Sequence, residues 1–91
     1  MKPDEITAFL RERPEYIKTL KKAVEHEERN AGNPHYLGWE WYDVETFGTK
    51  LQRLVVAGIA KVNFKSRSST CYLLQNLKAV KAALQMPKEG E

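Results

Sequence analysis

The spacing of the apolar residues changes at Gly58, and that change limits the folds open to the chain. Before it, Val44, Phe47, Leu51, Leu54 and Val55 recur at helical intervals, drawing one apolar stripe along a helix capped by Asp43 and closed by Gly58. After it, Ala60, Val62 and Phe64 alternate with Lys61 and Asn63, the two-residue period of a half-buried strand with its first set inward. Lys65-Ser66-Arg67-Ser68-Ser69 is turn-forming and basic, and Thr70-Cys71-Tyr72-Leu73-Leu74 returns with strand composition. A helix that passes through one glycine into a β-hairpin is expected over 43–74. Gly48 offers a point at which that helix divides in two.

The flanking segments read as helices. Asp4 caps a short one that faces Ile6, Phe9 and Leu10 inward and stops at Arg13, because Pro14 disfavours continuation. Pro14 suits the first turn of the next, where Tyr16, Ile17, Leu20, Ala23 and Val24 repeat until Asn30-Ala31-Gly32-Asn33-Pro34 ends it. The polar face of that helix, Glu25, Glu27, Glu28 and Arg29, reads as a solvated surface. Asn76 caps a final helix with Leu77, Val80 and Leu84 in its stripe, ending near Gln85. Residues 86–91 read as a frayed tail. The segment from Pro34 to Tyr42 holds both tryptophans and is too irregular for one assignment. It reads as core-filling, with stacking of Trp39 or Trp41 on single-stranded bases as the alternative.

With 91 residues there is material for one hydrophobic core. The expected class is α+β, mostly helical: a three-helix core with a C-terminal β-hairpin and a terminal helix.

The net charge of +3 conceals a division. Residues 1–45 carry seven Lys/Arg against ten Asp/Glu, a balance of −3, and the remainder carries eight against two, or +6. No carboxylate occurs from Thr46 to Lys88, whereas solvated faces ordinarily mix both signs. This asymmetry fits a partner that is a polyanion.

Other classes find little footing. No run of about 18 apolar residues exists, and Met1-Lys2-Pro3-Asp4-Glu5 lacks the apolar core of a secretory signal, so a soluble intracellular protein is expected, cytoplasmic or nucleoid-associated, with no membrane partner. Cys71 has no partner for an internal disulfide, and with His26 and His35 it supplies too few ligands for structural zinc. Cys71 reads as a small packing residue. His26-Glu27-Glu28 lacks a second histidine four residues on, since that position is Asn30, and the five glycines never form a phosphate loop. Neither cofactor nor metal is expected, and no catalytic constellation assembles.

The step Leu51-Gln52-Arg53-Leu54-Val55-Val56-Ala57-Gly58-Ile59, entered from helices and left through a basic hairpin, resembles the winged helix-turn-helix family. The resemblance covers about residues 15–85, with 1–14 an N-terminal helix outside it and 86–91 a tail. It implies a DNA-binding domain, a transcription regulator or a module of a replication or repair protein, in which the helix before Gly58 is the recognition helix and the hairpin the wing. The family's short second helix would fall near Trp39 to Val44. Such regulators often pair through elements outside the core motif, which points to residues 4–13 and 76–85 as contacts in a homodimer.

The residues agree with that implication. Thr46, Thr49, Lys50 and Arg53 stand at i, i+3, i+4 and i+7, one side of a helix, and are types that contact phosphate or base edges. At the hairpin, Lys65, Ser66 and Arg67 place cations and a hydroxyl on a loop tip, and Lys61 and Asn63 extend the patch. Duplex DNA is the partner this chemistry suits best. The rivals are a winged-helix protein-interaction module docking through Trp39 and Trp41 or through Leu77, Val80 and Leu84, and RNA binding within a ribonucleoprotein.

Overall fold

The structure, a computed structural model, describes residues 2–85, so the expected tail at 86–91 lies outside the described residues. In chain order the elements are α1 (Pro3–Glu12), α2 (Tyr16–Arg29), α3 (Gly48–Val56), β1 (Ala60–Lys65), β2 (Thr70–Leu74) and α4 (Leu77–Leu84). The class is α+β, as the apolar periods indicate.

α1 starts two residues earlier than a cap at Asp4 predicts, with Lys2 at the cap, because Pro3 has the fixed φ that suits a first helical position. Asp4 and Glu5 then fall in the first turn, where carboxylates oppose the positive end of the helix, and Glu5 accepts a hydrogen bond from the Lys2 N–H at 3.4 Å. Ile6 and Leu10 are buried. Arg13 leaves the helix with φ −133°, as a residue before proline must. α2 buries Tyr16, Leu20, Ala23 and Val24, and Ile17 stands at the edge of that stripe.

The segment between α2 and α3 resolves into a minimal strand and a turn. Trp39 and Tyr72 exchange both backbone N–H···O=C bonds at 2.9 Å, which lays a third strand of one residue against β2. Gly38 permits this approach: its φ is +132°, and a Cβ there would stand 2.4 Å from the Tyr72 carbonyl oxygen. The fully buried Trp39 ring stacks on Tyr72 with centroids 5.4 Å apart. Trp41–Glu45 then form a turn that Glu45 closes at φ +52°. Asp43 caps this turn by accepting from the Glu40 N–H at 2.9 Å, so it does not cap α3, which begins only at Gly48.

The exit from α3 follows the sequence closely. Gly58 takes φ +83°, its N–H reaches Val55 O at 3.0 Å, and Ile59 N–H reaches Leu54 O at 3.0 Å, the paired bonds of a Schellman ending. β1 and β2 pair antiparallel from Ala60↔Leu74 to Lys65↔Thr70, with a bulge between Val62 and Phe64. The expected inward face of β1 is real only at Ala60; Val62 is 44% and Phe64 40% exposed. The helical layer does not extend beneath the hairpin's outer half, and the bulge at Asn63 breaks the alternation.

Asn76 caps α4, its side chain accepting from Ala79 N–H at 3.1 Å. α4 packs on α1 and α2 within one chain, so Ile6, Leu10 and Val80, from the helices expected to pair two copies, are already buried in the core. Among the described residues no helix is long and apolar enough to cross a membrane.

Candidate nucleic-acid interface

α3 is divided cleanly by burial. Leu51 and Leu54 point inward at 1% and 0% exposure, whereas Thr49, Lys50, Gln52, Arg53 and Val56 face solvent. Three of the four residues expected on this face are there. Thr46 is not: it precedes the Phe47 N-cap and is buried, because the left-handed turn at Glu45 delays the helix by several residues. Thr49, Gln52, Arg53 and Val56 line one shallow surface hollow. Thr49, Lys50 and Arg53 line another, shared with Arg13 and Glu15 at the junction of α1 and α2. Arg13 is a cation the sequence reading did not place here; its neighbour Pro14, which ends α1, was the available signal. Its guanidinium is held 5.1 Å over the Phe9 ring and 3.2 Å from Glu12.

At the hairpin tip, Lys65, Ser66 and Arg67 are exposed. Ser66 N–H donates to Ser69 O at 2.7 Å and Ser66 Oγ accepts from Ser69 N–H at 3.2 Å, so the serine closes the turn and the two cations stand outside it. Asn63, expected in the basic patch, is the bulge residue, and its Nδ2 donates to Leu37 O at 2.8 Å. It fastens the hairpin to the segment before Gly38. Lys61 is exposed, and its charge acts weakly on the Glu27 carboxyl.

A hollow of about 290 Å³ joins the tip to the start of α3, with Lys65, Ser66 and Arg67 on one side, Gly48 and Leu51 on another, and Glu40 and Trp41 on the third. Trp41 departs from the core-filling expectation: it is 56% exposed, because the turn over 41–45 carries it off the strand that buries Trp39. Tyr42 donates to the Glu40 carboxylate, which pushes its phenol up to about 12. The α3 N-terminus carries no acidic residue in its first turn.

On the α2 flank, Glu25 and Arg29 are exposed as expected, but at Glu27 and Glu28 the expectation of a solvated face fails. Glu27 Oε2 accepts from Trp39 Nε1 at 2.9 Å and from Leu74 N–H at 2.8 Å. Glu28 pairs with Lys81 Nζ at 2.5 Å. Both carboxylates satisfy donors that folding would otherwise strand. Burial pushes the Glu27 carboxyl above its ordinary range, opposed by the Trp39 and Leu74 donors. Burial likewise raises the Tyr36 phenol, whose hydroxyl is hydrogen-bonded to His26 Nδ1 at 2.7 Å, while His26 Nε2 lies 3.5 Å from Asp43. Cys71 is buried and its thiol pushed up by that burial, in keeping with a packing residue.

The sequence matches no protein-family model, and neither a curated protein nor a solved structure proves similar to the chain.

Proposed function

We propose that the chain is a winged-helix domain that binds double-stranded DNA and catalyses no reaction, with α3 as the recognition helix and the β1–β2 hairpin as the wing. The observation that carries the reading is electrostatic. Among the described residues, Lys50, Arg53, Lys65 and Arg67 are exposed and take part in no ion pair; Lys65 and Arg67 line the hollow between the hairpin and α3, and Lys50 and Arg53 line the one that α3 shares with the α1–α2 junction. Element order agrees in part: helix, turn, helix, a glycine step and then a hairpin are present, but a turn over 41–45 stands where the family's short second helix is expected, and no helix forms there.

In this reading Arg53 and Thr49 face base edges in the major groove, Lys50 neutralises phosphate beside them, and Lys65 and Arg67 grip the adjacent backbone. A transcription regulator and a module of a replication or repair protein both suit it. Lys61, exposed on β1, extends the basic surface of the wing.

Fluorescence anisotropy of a labelled random duplex at two salt concentrations tests the proposal. Three cations on phosphate, Lys50, Lys65 and Arg67, give a log–log salt slope of about −3. Replacing Lys65 and Arg67 with alanine should weaken binding and bring the slope about 2 closer to zero. Phe47 and Val56, 71% and 77% exposed at the two ends of α3, favour protein interaction as a second reading. Absence of duplex binding at low salt would decide for it, and stronger competition by RNA than by duplex DNA would decide for a ribonucleoprotein role.

A further inference from the structure

The hollow between the hairpin tip and α3 has two chemically different walls. One carries Lys65, Ser66 and Arg67; the other is Trp41 beside Glu40. Trp41 is held in place although more than half of it meets water: Tyr42 stands edge-on to its ring at 5.6 Å and 82°, and the Tyr42 hydroxyl is tied to the Glu40 carboxylate. A large apolar ring fixed at the surface is a platform for another flat group.

The charges state what that group carries at each end. Lys65 and Arg67 favour an anion, and their wall is free of carboxylates. Glu40 disfavours an anion at the Trp41 wall and accepts hydrogen bonds from amino groups there. A nucleotide presents a flat ring with amino donors at one end and a phosphate at the other. A base inside a duplex cannot reach the platform, because both of its faces are already stacked.

We propose that this hollow receives an unpaired nucleotide from a strand that leaves the duplex, its base stacked on Trp41 and its phosphate against Lys65 and Arg67. The inference rests on the duplex reading above and narrows it to duplexes with a single-stranded extension. Lys65 and Arg67, which grip the backbone of a blunt duplex, take the phosphate of the extension where one is present; the other duplex contacts stay with α3, and Trp41 adds the discrimination.

The test compares three labelled DNAs: a short blunt duplex, the same duplex with a short single-stranded extension, and the same extension built from abasic sites. The base-bearing extension should bind tighter than the abasic one by about 5-fold or more, the weight of one stacked base. Trp41→Ala should erase that difference and keep the blunt-duplex affinity, and Trp41→Phe should restore much of it. Wild-type tryptophan emission should change with the base-bearing extension and not with the abasic one, since Trp39 is buried. Equal affinity for the two extensions in the wild type, or an undiminished preference in folded Trp41→Ala, overturns the inference while leaving duplex binding intact. Failure of all three DNAs to bind overturns the duplex reading and this one together.

Discussion

Two flanks of the molecule handle charge in opposite ways. On the flank formed by α2, Trp39 and α4, the carboxylates of Glu27 and Glu28 meet defined partners: Trp39 and Leu74 for the first, Lys81 for the second. On the flank formed by α3 and the hairpin, Lys50, Arg53, Lys65 and Arg67 meet none among the described residues. Polar groups that hold a fold together are satisfied inside it, because a stranded buried group costs about 1–3 kcal/mol. Groups left open at the surface contribute little to stability and are available to a partner. Stability and binding should therefore separate when the flanks are mutated in turn.

The largest effect belongs to the engaged flank. Trp39→Ala removes a fully buried ring, its stack on Tyr72 and one of Glu27's two donors, and should cost about 3–5 kcal/mol in urea unfolding. Leu54→Ala, in the core beneath α3, should cost about 2–5 kcal/mol by the same measurement. A loss below about 1 kcal/mol in either would break the assignment of that side chain to the core.

On the open flank, Lys50→Ala with Arg53→Ala should weaken duplex binding by about 1–3 kcal/mol and leave the melting transition within about 0.5 kcal/mol of wild type. Unchanged affinity in that double variant would remove α3 from the interface. Lys81→Ala sharpens the comparison from the other side: it should leave DNA affinity nearly unaltered and lower stability by about 1 kcal/mol or less, since both partners of its ion pair keep some exposure.

The smallest effect is a pH dependence. The folded pKa of Glu27 lies above its ordinary 4.5, so between that value and the folded one the native state holds more proton than the unfolded chain. Stability contributed by this group is therefore complete below about pH 4.5 and declines as pH rises through the folded value. Glu27→Gln keeps an oxygen for both donors and does not titrate. Urea unfolding over that window should fall less steeply with pH in the variant, and an identical slope would place the Glu27 carboxyl in water.

What the sequence makes legible is local. Asn76 announces its helix, Gly58 its Schellman ending, and the basic serine run its turn, because each is settled by the conformational preference of one or two residues. What stays hidden depends on residues far apart. Thr46 falls on α3's outer face only if the helix starts at Asp43, and the left-handed Glu45, a residue with no turn signature, decides otherwise. Val62 and Phe64 alternate correctly, yet nothing in their spacing tells that the helical layer stops short of them. Glu27 shows no outward difference from Glu25 until a tryptophan twelve positions later and a strand end forty-seven positions later supply its donors. The candidate site was half readable for the same reason. Lys50, Arg53, Lys65 and Arg67 follow from charge and period, whereas the engagement of Asn63 with Leu37 and the exposure of Trp41 require the assembled segment between α2 and α3.

The shared carboxylate of Glu27 also orders events during synthesis. It joins α2, Trp39 and the end of β2, so a nascent chain that stops short of Tyr72 has α2 in hand but neither a strand for Trp39 to pair with nor the Leu74 donor for Glu27. Closing a loop of that span costs chain entropy before the distant pairing rewards it, so it is expected to come late in folding. The domain should consequently leave the ribosome as a set of fluctuating helices and become resistant to protease only when β2 and α4, which completes the core against α1 and α2, have both arrived.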